Sequence, residues 1–172
     1  MKIRKVLYSK EEIDKRVREL ADIISRDYQG GELIVIGVLK GAFVFVADLI
    51  RCLSIPCVVD FVRVASYGSA TVSSEKIEFK KDVEMDIKGK DVLIVEDIVD
   101  TGLTISFLAE KFKERSPNSL KVCAFLDKKH RRKIAFDADY VGFTVGEEFV
   151  VGYGIDFNEM DRFLPDVCVI EE

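Results

Sequence analysis

Three short apolar runs punctuate the chain: Leu33-Ile-Val-Ile36, Val92-Leu-Ile-Val95 and Val122 to Leu126. None alternates polar with apolar, and turn residues flank them, so each predicts a strand buried on both faces. Helical patterns fill the intervals. Ser9 and Glu12 have capping-box spacing, and Ile13, Val17, Leu20 and Ile24 follow at helical period until Gly30-Gly31. Ala42 to Leu53 and Leu103 to Arg115 predict two further helices, the last ended by Ser116-Pro-Asn. Cys57 to Ala65 is β-branched and strand-like. Residues 66 to 76 are small and polar and read as a loop, and Ile77-Glu-Phe-Lys alternates as a half-exposed strand does. From Tyr140 onward the chain reads as strand and turn. Apolar strands alternating with helices predict parallel βαβ units, an α/β fold with a mainly parallel sheet. Such sheets bind ligands beyond the carboxyl ends of their strands, here just after Leu39, Val95 and Leu126.

Length and composition narrow the picture. A chain of 172 residues fits one domain that buries roughly 70% of its unfolded surface, with no need of a disulfide or metal staple. The net charge of −5 argues against a non-specific nucleic-acid binder. No apolar stretch is long enough to span a bilayer and the amino terminus lacks a signal-peptide core, so the expected location is cytoplasmic, with no membrane partner. Cys52, Cys57, Cys123 and Cys168 are scattered without metal-ligand spacing. The single histidine, His130, lies in a basic stretch and reads as solvated.

The richest chemistry lies in Val92-Leu-Ile-Val-Glu-Asp-Ile-Val-Asp-Thr-Gly-Leu-Thr104. A buried strand delivers Glu96 and Asp97 at its end, and Asp100 follows. Three carboxylates so close repel one another unless a cation or hydroxyl groups intervene. Thr101-Gly-Leu-Thr104 supplies the opposite character: Gly102 permits a tight turn, the threonines offer hydroxyls, and the following helix points N–H groups at the loop. Acceptors for hydroxyls or Mg²⁺ thus lie beside donors for a phosphate, which is what a sugar phosphate needs. A plain acidic helix cap is the alternative for Asp100-Thr101 alone. There is no Walker A and no G-x-G-x-x-G motif.

The thirteen-residue pattern resembles the 5-phosphoribosyl 1-pyrophosphate motif of the type I phosphoribosyltransferases. From about Leu33 to Ile170 the chain is similar to the hypoxanthine–guanine phosphoribosyltransferases, through Leu39-Lys-Gly41, Ser66-Tyr67, Lys128 and Phe149-Val-Val-Gly-Tyr-Gly-Ile-Asp156 through Arg162. The resemblance implies one domain over 1–172. Its core would cover about 33–145, a small hood would come from the N-terminal segment and about 146–172, and a mobile loop would span about 66–80. It implies purine salvage: transfer of phosphoribosyl from 5-phosphoribosyl 1-pyrophosphate to N9 of hypoxanthine or guanine, giving IMP or GMP and pyrophosphate. Homodimers or homotetramers are typical of the family.

Residue roles follow by the same resemblance. Glu96 and Asp97 would hold the ribose hydroxyls, partly through Mg²⁺, and Asp156 would join them as a metal ligand at the purine edge. Residues Asp100, Thr101, Gly102, Leu103 and Thr104 would wrap the 5′-phosphate, with Leu103 standing where some members carry lysine. Asp100 would also act as general base or acid at purine N7. Leu39, Lys40 and Gly41 would bind pyrophosphate, a cis Leu39-Lys40 peptide turning the N–H groups of Lys40 and Gly41 toward it, and Arg162 would contact the same group. Lys128 would point its ammonium, a donor only, at purine O6 and so reject adenine. Phe149 would stack on the base, and the Val150 carbonyl would accept the 2-amino group of guanine. Ser66 and Tyr67 would lead a closing loop. Lys129 and residues 131 to 133 read as a solvated basic face. A nucleotide-sensing RNA-binding regulator on the same fold is the rival that this basic stretch suggests, and a receiver-type signalling domain is a second, disfavoured because its acidic pair belongs near the chain start.

Overall fold

The computed structural model describes residues 2–67 and 76–171. The first strand, β1 (Lys2–Tyr8), leads into α1 (Lys10–Asp27). Ser9 caps this helix as its sequence demands: its Oγ accepts from the Glu12 N–H, and its own N–H donates to Glu12 Oε2 at 2.8 Å. The remaining elements are β2 (Leu33–Val38), α2 (Phe43–Cys52), β3 (Cys57–Tyr67), β4 (Lys76–Lys81), β5 (Asp91–Val99), α3 (Leu103–Lys113), β6 (Ser119–Asp127), β7 (Tyr140–Thr144), β8 (Val150–Val151) and β9 (Val167–Glu171). No helix among the described residues is long and apolar enough to cross a membrane.

Six strands form the main sheet in the order β4-β3-β2-β5-β6-β7. All neighbours are parallel except β3 and β4, so the expected α/β architecture is present. The unbroken apolar runs have a direct cause. Leu33, Val35, Leu93, Val95, Cys123 and Phe125 face one core, built with α1 and α2 through residues such as Ile13, Val17, Leu20, Phe45 and Leu49. Their sequence neighbours Ile34, Ile36, Val92, Ile94, Val122 and Ala124 face a second core with Ile105, Leu108 and Phe112 of α3. Alternate side chains point to opposite faces, and both faces are covered, so every position must be apolar.

A second sheet, β1-β9-β8, is antiparallel and joins the two ends of the chain, with Val6 opposite Cys168 and Val150 opposite Val169. It too is two-faced. Val150, Val167 and Val169 belong to the first core, whereas Val151, Cys168 and Ile170 pack with Phe157 and Leu164. Tyr8 stacks on Phe143 at 4.0 Å, and the Tyr153 hydroxyl donates to Asp48 Oδ2 at 2.7 Å, tying this sheet to the main body.

The loop expected from residue 66 does not begin there. Ser66 and Tyr67 are the last residues of β3 and pair with Ile77 and Lys76 of β4. Ser66 and Tyr67 extend β3 because β4 offers them a ladder, which composition alone does not reveal. The rest of the expected closing loop, residues 68–75, lies outside the described residues.

Candidate functional site

β2 has β3 on one side and β5 on the other, so the chain reverses direction across the sheet at β2 and β5. That is where an open α/β sheet leaves a crevice at its carboxyl edge. Pairing of β5 with β2 ends at Gly37 opposite Val95, while pairing with β6 continues to Val99 opposite Asp127. Beyond Val95, β5 therefore has one open edge, and Glu96 and Asp97 occupy it. A cleft of about 350 Å³ forms there, bordered by the turn after β2, the end of β5, the start of α3, and Asp156 and Arg162 from the chain's last third.

The carboxylate pair is held in an uneasy state. Glu96 is only 6% exposed. Burial, then the charge of Asp97, push its pKa well above the ordinary value. Burial also raises that of Asp97, while a hydrogen bond with Glu96, the Ile98 N–H at 2.8 Å and the charge of Arg162 pull the other way. Two buried neighbouring carboxyls cannot both ionise cheaply, and a cation between them would relieve the conflict. Among the described residues no cluster of three or more His, Cys, Asp or Glu side chains could cage a metal alone. A cation seated here must complete its shell from water and ligand oxygens, which is the habit of Mg²⁺.

The turn after β2 wraps closely round this pair. The Leu39-Lys40 peptide is cis. A Cβ on Gly41 would lie 1.7 Å from Asp97 Oδ2, so only glycine leaves that carboxylate its place. Gly154, at φ +94°, closes on the same turn, since a Cβ there would meet the Gly41 carbonyl at 2.4 Å. The nearby cations are engaged within the protein. Lys40 Nζ lies 2.8 Å from Glu159 Oε2. Arg162 pairs with Asp156 at 2.8 Å and Glu159 at 3.3 Å, and donates to the Gly154 carbonyl at 2.8 Å. Glu159 gave no signal in the sequence; it is one acid in a polar turn, and only the fold brings it to both cations.

Asp100 to Thr104 form the opposite wall. Gly102, at φ +85°, is the N-cap of α3, and no acidic side chain occupies the helix's first turn. The N–H groups of that turn lack intrahelical partners and face an anion favourably. Thr101 Oγ1 accepts from the Leu103 N–H at 3.4 Å, and the Thr101 carbonyl is held by the N–H groups of Lys133 and Ile134. Asp100 Oδ1 is buried without a hydrogen bond. Arg131 Nε stands 3.3 Å from it, near enough for an ion pair but without hydrogen-bond alignment.

Past Asp100 lies a second group of residues outside the lining of the cleft. Lys128 is 5% exposed, with its Nζ donating to the Glu148 carbonyl at 2.8 Å and lying 5.8 Å from the centre of the Phe149 ring. Burial pushes its pKa down, and the charge of Asp100 pulls it back up. Phe149 is 45% exposed, an open aromatic face beside a buried ammonium. Val150 follows in β8, and Asp156 and Arg162 come round from the next turns. The structure thus gathers Leu39, Lys40, Gly41, Ser66, Glu96, Asp97, Asp100, Thr101, Gly102, Thr104, Asp156 and Arg162 at one cleft. Leu103 opens α3 beside it. Lys128 feels the charge of Asp100, the Phe149 ring lies beside its ammonium, and Val150 follows in β8. Tyr67 is placed by its backbone only, at the end of β3.

One expectation fails. Arg132, read as part of a solvated basic face, turns inward and donates to the carbonyls of Val99, Asp100 and Phe136 and to the buried carboxylate of Asp127. Its acceptors are mostly backbone carbonyls, which leave no trace in residue type.

A family model described as a phosphoribosyl transferase domain matches residues 5–158. The chain is 48% identical to the hypoxanthine-guanine phosphoribosyltransferase of Aquifex aeolicus, over 98% of this chain and 95% of that protein. Identity to the hypoxanthine-guanine phosphoribosyltransferase of Bacillus subtilis is 47%, over 98% and 94% respectively. A crystal structure of a hypoxanthine-guanine phosphoribosyltransferase from Bacillus anthracis, with HEPES in its active site, shares 46% identity and a TM-score of 0.95, covering 99% of this chain and 100% of that one. Matched along nearly its whole length and carrying an acidic strand end beside an amide-rich turn at the sheet's switch point, the chain belongs to the phosphoribosyltransferases, in their hypoxanthine-guanine branch.

Proposed function

We propose that the cleft transfers the phosphoribosyl group of 5-phosphoribosyl 1-pyrophosphate to N9 of hypoxanthine or guanine, releasing pyrophosphate. The observation that carries this reading is the contact of opposites at one strand end: buried carboxylates at 96 and 97, the open helix start at 102–104, and a buried ammonium, Lys128, across Asp100. The helix start takes the 5′-phosphate through backbone N–H groups. Glu96 and Asp97 face the ribose hydroxyls, and the negative charge the pair carries once a cation relieves their repulsion would stabilise the positive character that builds at the anomeric carbon. Asp100 accepts the ring proton of the purine: its Oδ1 makes no hydrogen bond within the protein, and only the loosely aligned Arg131 must move aside. Lys128 donates to O6 while Phe149 covers the ring face.

Mg²⁺, bound at Glu96 and Asp97 and reached by Asp156, would neutralise the leaving pyrophosphate. Lys40 and Arg162 add cationic contacts to the same group once Glu159 gives them up. Ser66 and Tyr67, at the end of β3, would help to close the site against water.

The RNA-binding alternative has no support. In the basic stretch, Lys128 is buried, Arg132 is bonded internally, Arg131 faces Asp100, and Lys129 lies 3.5 Å from Asp137. A cytoplasmic homodimer or homotetramer remains the expected form of the enzyme. The decisive experiment is a steady-state assay with the ribosyl donor, Mg²⁺ and hypoxanthine, guanine, xanthine or adenine in turn, reading nucleotide and pyrophosphate together. Turnover with a 6-oxopurine and none with adenine is expected; no pyrophosphate release with any base would overturn the reading.

A further inference from the structure

The buried pair Arg132–Asp127 lies behind the binding surfaces described above: Arg132 holds the Asp100 carbonyl, and Asp127 directly precedes Lys128. Arg132 Nη1 donates to the carbonyls of Val99 at 2.7 Å and Asp100 at 2.6 Å. Its Nε donates to the Phe136 carbonyl at 3.0 Å, and its Nη2 is bonded to Asp127 Oδ1. Asp127 is fully buried and directly precedes Lys128. The strand ladder between β5 and β6 ends at Val99 opposite Asp127, so Asp100 and Lys128 are the first residues beyond it. The Lys128 N–H still reaches the Val99 carbonyl at 3.0 Å. Past that point the guanidinium spans the two strand ends.

Stability alone is a poor reason for this arrangement. The two strands are already joined by the ladder, and a buried ion pair is seldom the best way to add stability. Asp127 Oδ2 is moreover buried without a hydrogen bond, an expense that apolar packing would avoid. Costly polar groups of this kind persist where geometry matters to a site. The planar fork of arginine suits the task, because its five donors are fixed relative to one another.

We infer that Arg132, anchored by Asp127, is a positioning residue that fixes the Asp100 backbone and the root of Lys128 relative to each other, so that both address one purine ring. This rests on the roles given above to Asp100 and Lys128. The guanidinium acts through the Asp100 backbone and, by way of Asp127, on the chain leading into Lys128, and it touches no substrate.

The test compares the full-length enzyme with Arg132→Lys, which keeps the charge and loses the fork, and with Arg132→Ala. Displacing reacting groups by about 1 Å costs on the order of 100-fold in rate. Arg132→Lys is expected to lower kcat by about 10- to 100-fold and raise KM for hypoxanthine. Donor affinity, measured by calorimetry with Mg²⁺, should stay within about threefold, since Thr101 keeps its own bonds to Lys133 and Ile134. Discrimination against adenine should also weaken. Arg132 borders a recess of about 330 Å³, so ethylguanidinium should reach the gap in Arg132→Ala and restore part of kcat. A lowered melting temperature with kcat per folded molecule unchanged would make the pair structural only and overturn the inference, as would unfolding of both variants or absence of any effect. An inactive wild-type enzyme would instead sink the underlying reading of Asp100 and Lys128.

Discussion

Glu96 shows how one residue can be strained for function. Its folded pKa lies well above the ordinary 4.5, so the folded protein holds the proton more tightly than the unfolded chain. The stability this contributes is fully present below about 4.5 and is lost as pH rises through the raised value. In chelator-treated enzyme, Glu96→Gln should therefore be more stable than wild type at neutral pH, and the two melting curves should converge in acid. A difference in melting temperature that does not vary with pH would contradict this. Asp100→Ala should cut kcat by about 10²- to 10⁴-fold, the usual worth of a general base, while donor affinity changes little. Lys128→Met should raise KM for the 6-oxopurine by roughly 10- to 100-fold, matching a hydrogen bond to a charged group worth about 1.5–3 kcal/mol. An unchanged base profile in Lys128→Met would remove its assigned role.

Among the elements, the turn after β2 is set by one missing side chain. Gly41→Ala must displace the Asp97 carboxylate, because the new methyl would sit 1.7 Å from Oδ2. A carboxylate at the end of its side chain moves at little cost to stability. The expected result is a nearly unchanged melting temperature with donor KM raised about 10-fold or more, checked by initial-rate kinetics at fixed purine. The same scale explains what the sequence revealed. β2, β5 and β6 were legible because both faces are buried, and α1 because its cap and apolar stripe are local. β1 and β8 were not, since β1 pairs with β9 about 160 residues away and β8 is only two residues long. The site was legible where adjacent residues carry it, as at 96–104. Arg132 and Glu159 were hidden because their partners are brought by tertiary structure, and a charged residue in a charged stretch reads as solvated.

Under the proposed function the small sheet brings Val150 and its neighbour Phe149 to the purine, whereas the large sheet carries Lys128 and the phosphate-binding turns. Tyr153 bridges them: it is 5% exposed, and its hydroxyl donates to Asp48 on α2. Burial, then that bond to Asp48, drive the phenol pKa upward, so it remains a donor across the working pH range. Tyr153→Phe should cost about 1 kcal/mol of stability and lower the melting temperature by about 2–4 °C. It should also raise KM for the purine more than KM for the donor, and equal effects on both would refute this division of labour. Saturating donor with Mg²⁺ at about 100 times its Kd should stabilise the enzyme by about 2.7 kcal/mol, readable as a thermal shift.

The alternation of β5 between two cores has a further consequence for how the chain acquires activity. A slip of that strand by one position would swap the side chains of Ile94 and Val95 between opposite faces and move Glu96 into the place of Asp97. Correct alignment of the sheet and correct orientation of the acids are thus a single event during folding. Refolded material should contain fully competent molecules and dead ones, with no partly active class between them, and the active fraction after dilution from urea should equal the fraction that regains native side-chain packing.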